Sequence, residues 1–242
     1  MGKIEYSNVI RSCSYDKNYI LFNILQLYNG GQDVQLDPTF SKGGFYNKSK
    51  EYPVNEPALK YDLFPVRDDV LPLEKWKKWP FKSKSIQSLI IDLPFIISQG
   101  PSLMNESADN KSNIISRRYN SFYPKEEMFK TYWWYLMEAY RILKPSGICI
   151  LKTQRTISGG RLIAMPEATF MYANKLGFNI LDKFTLIARN RLISGKVKQQ
   201  IHSRSYDSQY FVFQRPNNQA STQPIDYFDF GIFPTRHKRW DF

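Results

Sequence analysis

Apolar residues recur at helical spacing through DKNYILFNILQLY (residues 16–28), and Asn29-Gly30-Gly31 follows as a stop signal, which predicts an N-terminal helix. A short run, Val34-Gln35-Leu36, ends at Asp37 and passes into PTFSKGGFY (38–46), a strand entering a glycine-containing loop. Segments 59–64 and 69–73 fit two more short strands, interrupted by Pro57, Pro65 and Pro72. The clearest strand is the continuous apolar run at 88–92, of the kind buried on both faces of a parallel sheet, and it ends in Asp92-Leu93-Pro94-Phe95. Periodicity is then lost over 96–123, a long loop of the sort that carries function. Pro124-Lys125-Glu126-Glu127 opens a helix, with proline in its first turn and acids at the positive end of its dipole. That helix reaches residue 143, where Lys144-Pro145-Ser146-Gly147 reads as a stop. Another buried strand is predicted at 148–152, a helix at 167–176 ended by Gly177, and a terminal strand pair at 178–188 and 206–213 with a basic loop between.

This order predicts an α/β fold: a mostly parallel central sheet with a C-terminal antiparallel strand pair and helices on both faces. Residues 1–215 read as one domain and 216–242 as an extended basic and aromatic arm. Ligands of such sheets collect at the carboxyl ends of the strands, where the loops after Asp37 and Asp92 both fall.

Composition supports a folded chain. Of 242 residues 42% are hydrophobic and 23% charged, which separates the protein from disordered polyelectrolytes. Two cysteines, Cys13 and Cys149, are too few for a disulfide framework, so a reducing, cytoplasmic location is predicted. No signal-peptide core opens the sequence, and no apolar run approaches the roughly 18 residues of a membrane span. The formal charge of +12 points to a polyanionic partner or to a heavily solvated lysine surface.

The motifs narrow that choice. LDPTFSKGGFY, KYDLFP, IIDLPF and RILKPSGICILK occur in an order that resembles the class I S-adenosylmethionine-dependent methyltransferases of the amino-methylating DNA type, phage and bacterial members especially. The resemblance covers residues 33–213 and implies the Rossmann-like class I methyltransferase fold. It implies S-adenosylmethionine as cofactor, with Asp37, Thr39, Phe40, Gly43 and Gly44 lining its methionine part, Asp62 on the ribose and Glu74 near the adenine. Glycines suit the first loop because they let backbone N–H groups approach a ligand closely. In the second motif Asp92 and the Leu93 carbonyl would accept the two N–H bonds of an exocyclic base amine, Pro94 would stiffen the turn, and Phe95 would stack on an extruded base. An exocyclic nitrogen is a poor nucleophile, since its lone pair is delocalised into the ring, and such acceptors favour its tetrahedral form as the methyl arrives.

The function so implied is methylation of the exocyclic amino group of adenine in nucleic acid, DNA ahead of RNA, with cytosine as an alternative base. Two positions depart from the family pattern: Leu93 stands where it has its first proline, and Ser41 where it has its first loop glycine. They motivate a second expectation, a catalytically inactive methyltransferase-like protein that binds nucleic acid or pairs with an active subunit; a homodimer is a further arrangement. Basic residues for nucleic-acid contact are Arg117 and Arg118 in the long loop, and Arg191, Lys196, Lys198, His202 and Arg204 in the loop before the last strand. Lysines 75, 77, 78, 82 and 84 interleave with Trp76, Trp79 and Phe81, either as a phosphate-contacting stripe or as a solvated face with tryptophans turned inward. His202 and His237, the only histidines, lack the partners of a metal site, and none is predicted.

Overall fold

Apolar side chains alternate across the two faces of an eight-stranded sheet, and helices cover both. The computed structural model describes residues 9–46, 49–97, 121–189 and 202–217. Its elements are β1 (Cys13–Ser14), α1 (Lys17–Tyr28), β2 (Leu36–Asp37), β3 (Leu59–Asp62), β4 (Leu71–Pro72), β5 (Ile86–Asp92), α2 (Lys125–Ile142), β6 (Leu143–Thr153), β7 (Thr156–Ser158), β8 (Arg161–Ile163), α3 (Met165–Leu176), β9 (Asn179–Ile187) and β10 (Asp207–Gln214). On one face Ile90, Ile148, Ile150, Phe184 and Val212 meet Ile20, Leu21, Ile24 and Leu25 of α1. On the other, Leu89, Ile91, Cys149, Leu151, Phe211 and Phe213 pack with Met128, Tyr132, Leu136 and Ala139 of α2 and Ala173 of α3. Strands covered on both sides must be apolar at consecutive positions, which is why β5 and β6 carry unbroken apolar runs. Each large side chain so buried stabilises the fold by about 1.5–3 kcal/mol before entropy is counted.

The strand order is β1-β9-β10-β6-β5-β2-β3-β4. Within this sheet every pairing is parallel except those of β10 with β6 and with β9. Seven strands therefore run one way and β10 alone runs back, the predicted α/β, Rossmann-like sheet with its C-terminal antiparallel pair. The carboxyl ends of β2, β3, β5 and β6 share one rim. The register of Ile187 with Asp207 and of Gln209 with Thr153 brings the end of β9 and the start of β10 to that rim as well.

Several boundaries differ from the sequence expectation. Helix α1 starts at Lys17 because Asp16 is its N-cap, accepting from the Asn18 N–H at 2.8 Å. Strand β2 is only two residues long, since Gln35 spends its side chain on the Gln87 N–H at 2.7 Å. The Lys144-Pro145-Ser146-Gly147 stretch is no break: α2 runs directly into β6, with Ser146 at φ 61° and an irregular register beside Ile86. The Arg215 guanidinium caps the end of α2, donating to the carbonyls of Tyr140, Arg141 and Leu143 at 2.6–3.1 Å. Strand β1 and the β7–β8 hairpin have no counterpart in the sequence expectation; the hairpin turns on Gly159 and Gly160, both at positive φ.

Candidate active site

Burial makes Asp37 the organising acid of the rim. It closes β2 with no exposed surface, and its carboxylate accepts from the Thr39 N–H (2.8 Å), the Thr39 hydroxyl (3.0 Å) and the Tyr46 hydroxyl (2.8 Å). Desolvation pushes its pKa up to about 7 against these stabilising hydrogen bonds, with the charge of Asp92 adding to the rise. The same burial, together with the adjacent Asp37 charge, holds the Tyr46 phenol well above its usual range. The Thr39 hydroxyl does a second job: it accepts from the Asp92 N–H at 2.9 Å. One side chain thus ties the loop after β2 to the turn after β5, the two regions that the motifs single out. Tyr46 closes the loop motif with no role assigned by the sequence, and it is the residue that folds the loop back onto Asp37.

Asp92 ends β5 with its side chain 28% exposed, and Lys152 of β6 is its register partner. The Lys152 ammonium donates to both carboxylate oxygens, at 3.1 and 3.3 Å. Lys152 carries no expectation from the motifs; its signal is that two adjacent parallel strands each end an apolar run in a charge of opposite sign. Leu93 is buried, and the Tyr132 hydroxyl lies 3.4 Å from both the Leu93 and the Pro94 carbonyls, fixing the turn from below. Phe95 is half-buried beside it. Lys17, at the start of α1, donates to the Gly44 carbonyl, and its pKa is lowered by burial and then by the neighbouring Lys152 charge.

The remaining loop residues divide by accessibility. Phe40 is core: it is buried, stacks on Tyr46 with ring centroids 5.5 Å apart and lies under the Arg67 guanidinium. Asp62, at the end of β3, accepts from the Ser41 N–H and the Phe64 N–H, both at 2.8 Å, and burial raises its pKa. Ser41 itself sits at φ 50°, the left-handed region where glycine is favoured, so this turn forms with serine in place. Glu74 is exposed two residues beyond the β4 position that pairs with Asp62, and it is ion-paired with Lys77.

Gly43 and Gly44 face opposite surroundings. Gly43 has φ 73°, and a Cβ there would lie 2.8 Å from Phe40 Cζ, whereas a Cβ on Gly44 would meet nothing within 4 Å. Gly43→Ala is expected to cost about 2–3 kcal/mol in urea unfolding, from the left-handed backbone and the crowded ring. Gly44→Ala is expected to stay within about 0.5 kcal/mol. Equal losses for both variants would show that the loop is not built as described.

Of the basic residues, Arg117, Arg118, Arg191, Lys196 and Lys198 lie outside the described residues, as does most of the 216–242 arm. His202 is exposed and Arg204 half-buried on the segment entering β10 at the site's rim. In the lysine-rich stretch Trp79 is core, edge-on to Trp134 and Tyr135, while Trp76 is 44% exposed. Lys75 pairs with Glu127 and Lys77 with Glu74, so both are partly neutralised. Among the described residues no group of three or more His, Cys, Asp or Glu could hold a metal, and no helix is long and apolar enough to cross a membrane. A cleft of about 370 Å³ opens on the same rim between Tyr15, Lys17, Leu186 and Arg189. A larger one, about 630 Å³, lies against α3 between Arg155, Phe170 and Phe211.

Fold and site together define an α/β protein of Rossmann-like topology with a charged cluster at the carboxyl rim of its parallel strands. No family model matches the chain, and no curated protein matches its sequence. Among solved structures it is similar to a candidate DNA modification methylase of Thermus thermophilus in complex with S-adenosyl-L-methionine, at 14% identity over 64% of this chain, with a TM-score of 0.36. The matched region spans 55% of the Thermus protein, about half its length. It is also similar to the 1,6-didemethyltoxoflavin-N1-methyltransferase of Burkholderia thailandensis, at 12% identity over 84% of this chain and 80% of that one, with a TM-score of 0.45. A candidate class I S-adenosylmethionine-dependent methyltransferase of Listeria monocytogenes gives 13% identity over 86% and 62%, with a TM-score of 0.45. The fold class itself rests on the strand order and directions given above.

Proposed function

We propose that this chain is an S-adenosylmethionine-dependent methyltransferase that acts on the exocyclic amino group of adenine in nucleic acid, DNA ahead of RNA. The observation that carries the reading is the Asp92 N–H to Thr39 hydroxyl to Asp37 bridge, which sets the glycine loop and the Asp-Leu-Pro-Phe turn side by side at one rim. The residues fit the cofactor in kind. Gly44 has open space beside it, and Asp62 keeps a spare lone pair on each oxygen for the hydroxyls of a ribose. Asp37, having no exposed surface, would serve the cofactor through Thr39 and Tyr46, which it holds.

When bound, the cofactor supplies a methyl group on a positively charged sulfur. The work of this chain is then to hold the amine. Asp92 would accept one N–H and the Leu93 carbonyl the other, which draws the nitrogen lone pair out of conjugation toward the methyl. As the N–C bond forms and the S–C bond breaks, the thioether would leave and the surplus amine proton would pass by way of Asp92 to solvent. Tyr132 keeps the Leu93 carbonyl in place, and Phe95 covers the base. These contacts strengthen as the nitrogen becomes tetrahedral, so they favour the transition state over the ground state.

The alternative, an inactive methyltransferase-like protein that binds nucleic acid or supports an active subunit, draws on Lys152 already holding the Asp92 carboxylate. Incubation with tritium-labelled S-adenosylmethionine and either DNA or RNA, followed by digestion to nucleosides, separates the two. Label in N6-methyladenine of DNA is expected. Calorimetric binding of the cofactor with no label in any nucleoside favours the inactive protein, and absence of both overturns the proposal.

A further inference from the structure

We infer that Lys152 reads the base: its ammonium donates to the ring nitrogen next to the target amine, so that Asp92 and Lys152 together recognise the amine and ring-nitrogen edge of adenine. The inference rests on the amino-methylating reading above and adds a residue to it. Asp92 and Lys152 are directly paired across β5 and β6, so their side chains leave the same face of the sheet at the same height. The ammonium sits 3.1 Å from one carboxylate oxygen, close enough for both groups to meet a single flat ring edge. Among the described residues Asp92 is the only acid paired with Lys152, and an ammonium has donors to spare beyond that pair. Its position is held from the side by the Phe45 ring, whose centroid lies 5.2 Å from Nζ. Lys17, the other cation nearby, is placed on the Gly44 carbonyl and not on Asp92.

The chemistry of an aminated heterocycle matches this pair. An amine on adenine is a neutral donor, and the adjoining ring nitrogen is an acceptor on the same edge. A carboxylate beside an ammonium offers acceptor and donor in that order. An alkylammonium substrate would instead meet the like charge of Lys152, so the pair selects neutral heteroaryl amines over protonated alkylamines. If Lys152 only neutralised Asp92, its loss would slow every substrate alike. If it contacts the ring nitrogen, its loss would matter only for substrates that possess one.

The test compares an oligonucleotide methylated in the tritium assay with a copy bearing 1-deazaadenine at the target, where C–H replaces the ring nitrogen. For the wild-type chain kcat/KM is expected to fall at least about tenfold on the deaza copy, the loss of a charged hydrogen bond. In Lys152→Met the adenine rate drops, and the two substrates are expected to agree within about threefold, because the partner of the ring nitrogen is gone. Lys152→Ala, which has no side-chain donor and lets water reach Asp92, serves if the methionine variant does not fold, and the same narrowing is expected. An undiminished difference between the substrates in a folded variant overturns the role of Lys152 alone. No transfer to adenine by the wild-type chain overturns the functional reading and this inference with it.

Discussion

Asp92→Asn is expected to slow methyl transfer by about two to three orders of magnitude, with S-adenosylmethionine affinity held within about threefold. The asparagine oxygen still accepts a hydrogen bond, and the side chain keeps its shape, so the turn and its tie to Thr39 through the Asp92 main-chain N–H should survive. What disappears is the negative charge that stabilises an amine nitrogen becoming positive. Stability should change little, since the asparagine oxygen still accepts from the Lys152 ammonium and the contact is weakened rather than lost. Stopped-flow or quenched single-turnover rates, beside calorimetric titration of the cofactor, check both halves. Unchanged transfer in the asparagine variant would remove Asp92 from the chemistry, and lost cofactor binding would place it in the other subsite.

The second large effect is on stability against pH, and it belongs to Asp37. Burial raises this carboxyl from 3.8 to about 7, so the folded state binds its proton more tightly than the unfolded chain does. Between those values the folded protein carries more protons, and by linkage stability falls as pH rises. The cost is absent below 3.8, grows through the interval and is fully felt above 7, where it amounts to about 4 kcal/mol. Asp37→Asn does not titrate. Relative to the wild type it should therefore gain stability from about pH 5 to about pH 8, on top of a constant offset from altered hydrogen bonds to Thr39 and Tyr46. Urea unfolding of both proteins at the two pH values measures this difference, from which other titrating groups cancel. A difference that does not change with pH would mean that Asp37 does not hold its proton in the folded state.

Local sequence signals located the elements that local chemistry determines. The apolar runs of β5 and β6 stand out because helices cover both sides, and α1 is bounded by its own Asp16 cap and by Gly30 and Gly31 at positive φ. Asp37 and Asp92 could be named because each closes an apolar run before a loop of unusual composition. The end of α2 could not be read that way. Its cap comes from Arg215, more than 70 residues further along, and the proline and glycine that look like a stop are absorbed into an irregular strand start. Lys152 was hidden for the same reason, since its partner is set by strand register across β5 and β6 rather than by spacing in the chain. Phe40 shows the opposite limit: a position inside the glycine-containing motif is core, because Tyr46 folds back over it.

In the proposed complex Asp62 would hold the ribose, and the Gly44 side of the first loop together with the Asp92 carboxylate would flank the sulfur. A crystal structure with S-adenosylhomocysteine bound tests that most directly. The predicted result is density along the rim from Asp62 past Gly44, with the sulfur directed at Asp92. Density seated instead between Tyr15 and Arg189, or under α3 against Phe170, would contradict it.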